Sequence, residues 1–260
     1  MLKETKTMKT VSIINQKGGV GKTTTALCLG AGLTKKGYKT LLIDIDPQTN
    51  LSLTTGTSKA KKTTLGLITG EVEAEEAIIS GTPFGDVIPA SKDLAGADSF
   101  ITGTGKEYAL KEAIEPILNS YHYIIIDTPP ALGILTVSAL TASDNVLIPA
   151  QADIYSIQGI TQLLETIEPV KKYTNKDLSI LGILLTRFNA RTILSNELRD
   201  LLEAKARELE TKVYKTTIRE AIAIKESQLL GRSIFDYKPS ANVTLDYESF
   251  IEEFIGDTKQ

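Results

Sequence analysis

The residues of this chain best suited to chemistry are Lys17-Gly18-Gly19-Val20-Gly21-Lys22-Thr23-Thr24, which follow an apolar run at 10–15 and open a helical pattern. Gly18, Gly19 and Gly21 allow the backbone to turn sharply and aim its N–H groups at phosphate oxygens. A helix starting at the same point adds the positive end of its dipole. Lys22 can bridge β- and γ-phosphates, and the Thr23 hydroxyl can ligate Mg2+. The first glycine of the general phosphate-loop pattern is replaced by Asn15 or Gln16, depending on alignment, so the loop is a variant. Strand, glycine loop and helix in this order predict a nucleotide-phosphate site over residues 17–24.

Two further strand ends carry acids. The run at 39–44 continues as Asp44-Ile45-Asp46-Pro47-Gln48, where period-two spacing puts both carboxylates on one side of an extended chain. Ile124-Ile125-Ile126-Asp127 is an apolar strand ending in an acid, the Walker B arrangement, in which a buried strand fixes a carboxylate on Mg2+ directly or through water.

The elements that position these groups alternate. Strands are predicted at 10–15, 39–44, 86–89, 123–127, 145–149 and 179–186, with helices at 24–36, 158–173 and 193–210, the first closed by Gly37. Apolar strands separated by helices imply an α/β fold, a single doubly wound and mainly parallel sheet covered on both faces. Its ligands belong at the carboxyl ends of the strands. At 260 residues and 42% hydrophobic, the chain suits one large core. One P-loop ATPase domain over 1–260 is therefore expected, with a flexible N-terminal segment at 1–9.

Composition excludes several classes. Cys28 is the only cysteine, so an internal disulfide or a multi-cysteine metal site has no basis. No apolar run reaches membrane-spanning length, and nothing before Val11 reads as a signal peptide, so a cytoplasmic setting is expected. The net charge is −3, yet Arg187 to Lys238 holds 11 Lys and Arg against 8 Asp and Glu. A basic region on an acidic protein permits a nucleic-acid face.

Lys17, five positions before Lys22, cannot easily reach the same phosphates from the same chain. This spacing resembles the deviant Walker A motif of the ParA/MinD family, and the likeness to ParA/Soj partition ATPases runs from about Val11 to Glu253. The resemblance implies that ATP is the nucleotide and that Lys17 crosses a homodimer interface to the partner's ATP. Asp46 then matches the residue that orients the attacking water, and Asp44 supports the Mg2+ and Thr23 network beside Asp127. Residues 128–133 match the switch that senses the γ-phosphate, and turnover is expected to be slow until a partner stimulates it. Leu185-Thr186-Arg187-Phe188-Asn189-Ala190-Arg191-Thr192 and Thr217-Ile218-Arg219-Glu220-Ala221-Ile222-Ala223-Ile224-Lys225 resemble the late family motifs. They imply that Arg191, Arg219 and Lys225 grip DNA phosphates without reading bases, and only in the ATP dimer. A ParB-like centromere-binding adaptor and association with the nucleoid follow from the same likeness. Two departures stand out: Glu220 follows Arg219 where many relatives repeat the arginine, and Thr49 replaces a glycine after Asp-Pro-Gln. Only about ten residues precede the first strand, so the helix-turn-helix of larger partition ATPases is not expected.

Rival readings share the nucleotide chemistry. A MinD-like membrane-cycling ATPase needs a basic amphipathic tail, whereas Phe250, Ile251, Phe254 and Ile255 sit among acids and are expected to dock on the core. A nitrogenase-reductase-like carrier needs two cysteines. A ParA-like ATPase that positions protein cargo has the same motifs. Asn175-Lys176-Asp177 misses the guanine-reading spacing and is read as a loop.

Overall fold

A computed structural model describes residues 9–259. The segment expected to be flexible at 1–9 lies outside the described residues except for Lys9, which opens the first strand.

Seven strands form one sheet: β1 Lys9–Ile13, β2 Thr40–Asp44, β3 Ile79–Thr82, β4 Gly85–Ile88, β5 Tyr123–Asp127, β6 Asn145–Ala150 and β7 Ser179–Leu185. Their order is β3-β4-β2-β5-β1-β6-β7, parallel except for the β3–β4 edge hairpin. The helices are α1 Lys22–Lys35, α2 Asn50–Thr54, α3 Thr64–Ile68, α4 Ala74–Ala77, α5 Ala97–Phe100 and α6 Ala109–Ile114, then α7 Ile134–Ala142, α8 Ile154–Tyr173, α9 Ile193–Glu208, α10 Ile222–Leu229, α11 Ile234–Tyr237 and α12 Asn242–Thr258. The expected doubly wound, mainly parallel sheet is present.

Alternation within the strands divides the core. Leu42 and Ile125 join the α1 and α12 side with Leu27, Leu29 and Phe250, whereas Leu41, Ile43, Ile124 and Ile126 face Leu110 and Ile114. Every residue of β5 is buried, which explains its unbroken β-branched run. Each of its isoleucines contributes about 2 kcal/mol by leaving water.

Phe250, Ile251 and Phe254 of α12 are fully buried and Ile255 nearly so, as the core-docked reading of the tail expects. Helix α12 approaches α1 so closely that a Cβ on Gly32 would lie 2.1 Å from Ile251 Cδ1. Ion pairs Lys36–Glu252 and Lys35–Glu248 close the outer edge of this contact. Among the described residues no helix is long and apolar enough to cross a membrane.

The register sets the site. Asp127 pairs with Asp44 on one side and with Ile13 on the other, so the ends of β2, β5 and β1 stand side by side. The phosphate loop therefore emerges next to both acids.

Candidate nucleotide site

The loop between β1 and α1 is pinned from three directions. Asn15, buried at the start of the loop, donates from Nδ2 to the Pro149 carbonyl at 2.8 Å and accepts from the Lys17 N–H at 2.9 Å. Thr186, just past β7, donates to the Val20 carbonyl at 2.7 Å. Gln151 Nε2 donates to the Gly19 carbonyl at 3.4 Å. Gly19 at φ 75 and Gly21 at φ 92 occupy the left-handed region, so the turn itself requires glycine there. Gly18 has neither a positive φ nor a close neighbour, so space alone does not demand a glycine at that position.

Helix α1 begins at Lys22 with no side-chain cap, so its first-turn N–H groups face the loop. Lys22 is buried, and its ammonium is pushed down by that burial while Asp127 and Asp46 pull it back up. A cleft of about 340 Å³ opens here, lined by Gly18, Gly19, Lys22, Thr23, Asp46 and Pro130 among others. Its size and lysine suit a polyphosphate.

Asp127 is fully buried, and neither of its oxygens has a hydrogen-bond partner within normal distance. Burial first, then the Asp44 and Asp46 carboxylates, raise its pKa well above the ordinary carboxylate range, with the Thr23 hydroxyl and Lys22 opposing. Two orphaned hard oxygens beside a threonine hydroxyl fit a Mg2+ ion that completes its shell with water and phosphate.

Asp44 and Asp46 take different places. Asp44 is fully buried; its Oδ2 accepts from Ser52 N–H at 2.9 Å and Ser52 Oγ at 2.6 Å, and its Oδ1 from Asp46 N–H at 3.1 Å. Both oxygens therefore hold the turn that carries Asp46. Burial raises the Asp44 carboxyl to about 6. Asp46 lines the phosphate cleft, with its Oδ1 accepting from Gln48 N–H at 2.9 Å.

Lys17 forms an ion pair with Asp153 at 2.5 Å on its own chain. Asp153 also caps α8, accepting from Ser156 N–H at 2.9 Å. Burial works against the Asp153 charge, but Lys17 and Ser156 hold the carboxyl below its usual range. Thr128, in the segment expected to be a switch, donates to the Ile13 carbonyl at 2.8 Å, and Pro130 lines the cleft.

A second cleft of about 280 Å³ borders the loop, with Gly21, Thr24 and Thr186 on one side and Ile218, Ala221 and Ile224 on the other. Lys225 lies on its rim. Arg191 and Arg219 line a third, polar cleft of about 490 Å³, and Arg219 borders the second cleft as well. The three expected basic residues are thus near one another, but Arg219 is engaged by Asp246 at 2.7 Å. Ser52 and Asp153 were not singled out in the sequence, and Asn15 and Thr186 were quoted without these roles. The contacts of Asn15 to Pro149, Asp153 to Lys17 and Thr186 to Val20 span 134, 136 and 166 positions, so spacing carries no sign of them.

The family model described as an AAA domain matches residues 8–180. Sporulation initiation inhibitor protein Soj of Bacillus subtilis is 42% identical over 92% of this chain and 96% of its own length. The chain belongs to the ParA/Soj family of partition ATPases. The chromosome partitioning protein ParA of Caulobacter vibrioides is 38% identical over 88% of this chain and 87% of its own. Among solved structures, cobyrinic acid a,c-diamide synthase from Mycobacterium smegmatis with a bound ATP analogue and magnesium is 32% identical. It superposes with a TM-score of 0.77 over 95% of this chain and 94% of its own. ParA/Soj membership is thus carried both by the phosphate loop and by similarity along most of the chain.

Proposed function

We propose that this ParA-family ATPase closes as a homodimer around Mg-ATP, holds DNA without sequence preference in that state, and releases it on hydrolysis. The observation that carries the reading is the pair of lysines on one loop. Lys22 is buried at the loop floor near Asp127 and Asp46, so the phosphates of its own nucleotide already have their cation. Lys17, at the rim and a third exposed, is available to a second protomer.

In this reading Thr23 and Asp127 hold Mg2+, with Asp44 one strand away fixing the Asp46 turn. The ion supplies charge neutralisation at the γ-phosphoryl group. Lys22 and the loop N–H groups of residues 18–24 bind the phosphates, Asp46 orients water, and Lys17 adds charge from across the interface. The cleft walled by Ile218, Ala221 and Ile224 takes the base. Arg191, Arg219 and Lys225 contact DNA backbone, doubled by dimerisation, so binding is salt-sensitive. A ParB-like adaptor accelerates turnover, and the protein works in the cytoplasm on the nucleoid.

Retention on random-sequence duplex DNA, compared with ATP, ADP and no nucleotide, tests the reading. Retention with ATP alone is expected; equal retention in all three states overturns it.

A further inference from the structure

Two ion pairs form a wall between the cleft beside the phosphate loop and the cleft that holds Arg191. Arg187 Nη2 donates to Glu220 Oε1 at 2.7 Å. Arg219 grips Asp246 through Nε at 2.7 Å and Nη2 at 2.8 Å, and its backbone N–H reaches the same carboxylate at 3.1 Å. Arg187, Arg219 and Glu220 each line both clefts. One set of side chains therefore faces the nucleotide side and the basic side together.

The Arg219–Asp246 pair is asymmetric. The Asp246 side chain is 12% exposed and that of Arg219 51%, so the carboxylate is the fixed member and the guanidinium the open one. Arg187 sits at φ 50, a costly backbone for a residue with a Cβ. Hydrogen bonds on either side, Thr186 N–H to Ala150 O at 2.8 Å and Phe188 N–H to Ile218 O at 2.9 Å, hold it there. Strain maintained in this way is typical of positions with a task. Glu220 lies among Arg187, Arg191 and Arg219, so this chain carries an acid inside its basic region.

A guanidinium fork binds carboxylate and phosphate in the same two-pronged geometry, so one can replace the other without a new arrangement. We propose that Glu220 and Asp246 are built-in competitors for DNA phosphate: they hold Arg187 and Arg219 in the pairs described, and nucleotide filling the cleft that Arg187, Arg219 and Glu220 line beside the phosphate loop loosens them. Three arginines of the Arg191 cleft are then exposed to the DNA backbone, where before two were neutralised. DNA affinity becomes nucleotide-dependent within each protomer, in addition to any effect of pairing two protomers.

The inference rests on the DNA-binding reading above, and one experiment separates the two. Full-length wild type, Asp246→Asn and Glu220→Gln are titrated with a labelled random-sequence duplex, with no nucleotide and with ATP, across a salt series. Both substitutions keep shape and remove charge. Each is expected to tighten nucleotide-free binding about tenfold and to steepen the log–log salt dependence by about 0.9 for each arginine released. The gap between the nucleotide-free and ATP states should narrow. Should wild type bind DNA with ATP while neither variant gains affinity without it, the competitor role is overturned. Should wild type fail to bind DNA with ATP at all, the DNA-binding reading itself falls. Nucleotide titration of each variant reports folding, and Glu220→Gln, at the more exposed pair, carries the test if Asp246→Asn does not fold.

Discussion

Lys17 is paired with Asp153 of its own chain, 2.5 Å away. Both side chains are about a third exposed, so the pair contributes no more than about 1 kcal/mol. Such a pair is weak enough to exchange for a partner's phosphate. Lys17→Ala is expected to bind ATP normally yet stay monomeric, whereas Lys22→Ala loses nucleotide binding. Asp153→Asn keeps the α8 cap, because asparagine caps as well as aspartate, and frees Lys17. It should raise the dimer fraction in ATP by up to about fivefold, the equivalent of about 1 kcal/mol. Nucleotide titration and light scattering read all three; a normally dimeric Lys17→Ala protein would sink the two-protomer model.

Asp46 lines the cleft beside Lys22 and is fixed by the Gln48 N–H. Removal of a group that positions water lowers turnover without lowering nucleotide affinity. Asp46→Ala should therefore bind ATP, release phosphate about a hundredfold or more slowly, and persist as a DNA-bound dimer. Phosphate release at the wild-type rate would remove Asp46 from this role.

Stability of the nucleotide-free protein should depend on pH through Asp44. Its carboxyl titrates near 3.8 in an ordinary setting and near 6 when folded, chiefly because it is buried. Between those values the folded protein binds more protons than the unfolded chain, so stability falls as pH rises through the window and then levels. The fall is about 3 kcal/mol. Urea midpoints from pH 4 to pH 7 should drop more steeply for wild type than for Asp44→Asn; parallel slopes would show that Asp44 is not the source.

Thr49 occupies φ 56 and ψ 25, a left-handed backbone that glycine adopts freely. A β-branched residue in the left-handed region costs about 1–2 kcal/mol, part of which glycine returns through its freer unfolded chain. Thr49→Gly should raise the melting temperature by about 2–4 °C, read by calorimetry. No change or a fall would mean that contacts of the Thr49 side chain outweigh the strain.

Much of this arrangement was legible from local pattern. Tyr123–Asp127 matches its strand end to end, because an unbroken β-branched run closed by an acid has few other readings. Helix α1 begins at Lys22, two residues earlier than its periodicity suggested, since the glycine turn passes straight into helical geometry. Helix α7 was missed: its nine residues, six apolar and the rest Thr or Ser, show no amphipathic period. The edge strand β3, Ile-Ser-Gly-Thr, is too short and mixed to read alone and is defined by its partner β4. In the site, Asp46, Asp127 and Lys22 were visible because motif and strand end coincide. Asp153 was not, since nothing near residue 17 points to a carboxylate 136 positions away.

The contact between Gly32 and Ile251 ties the start of function to a late stretch of the polypeptide. The buried back of α1, whose front presents the phosphate loop, is roofed by Val243, Tyr247, Phe250 and Ile251. A growing chain that has already exposed residues 17–24 still lacks this roof until residues 242–258 have been made.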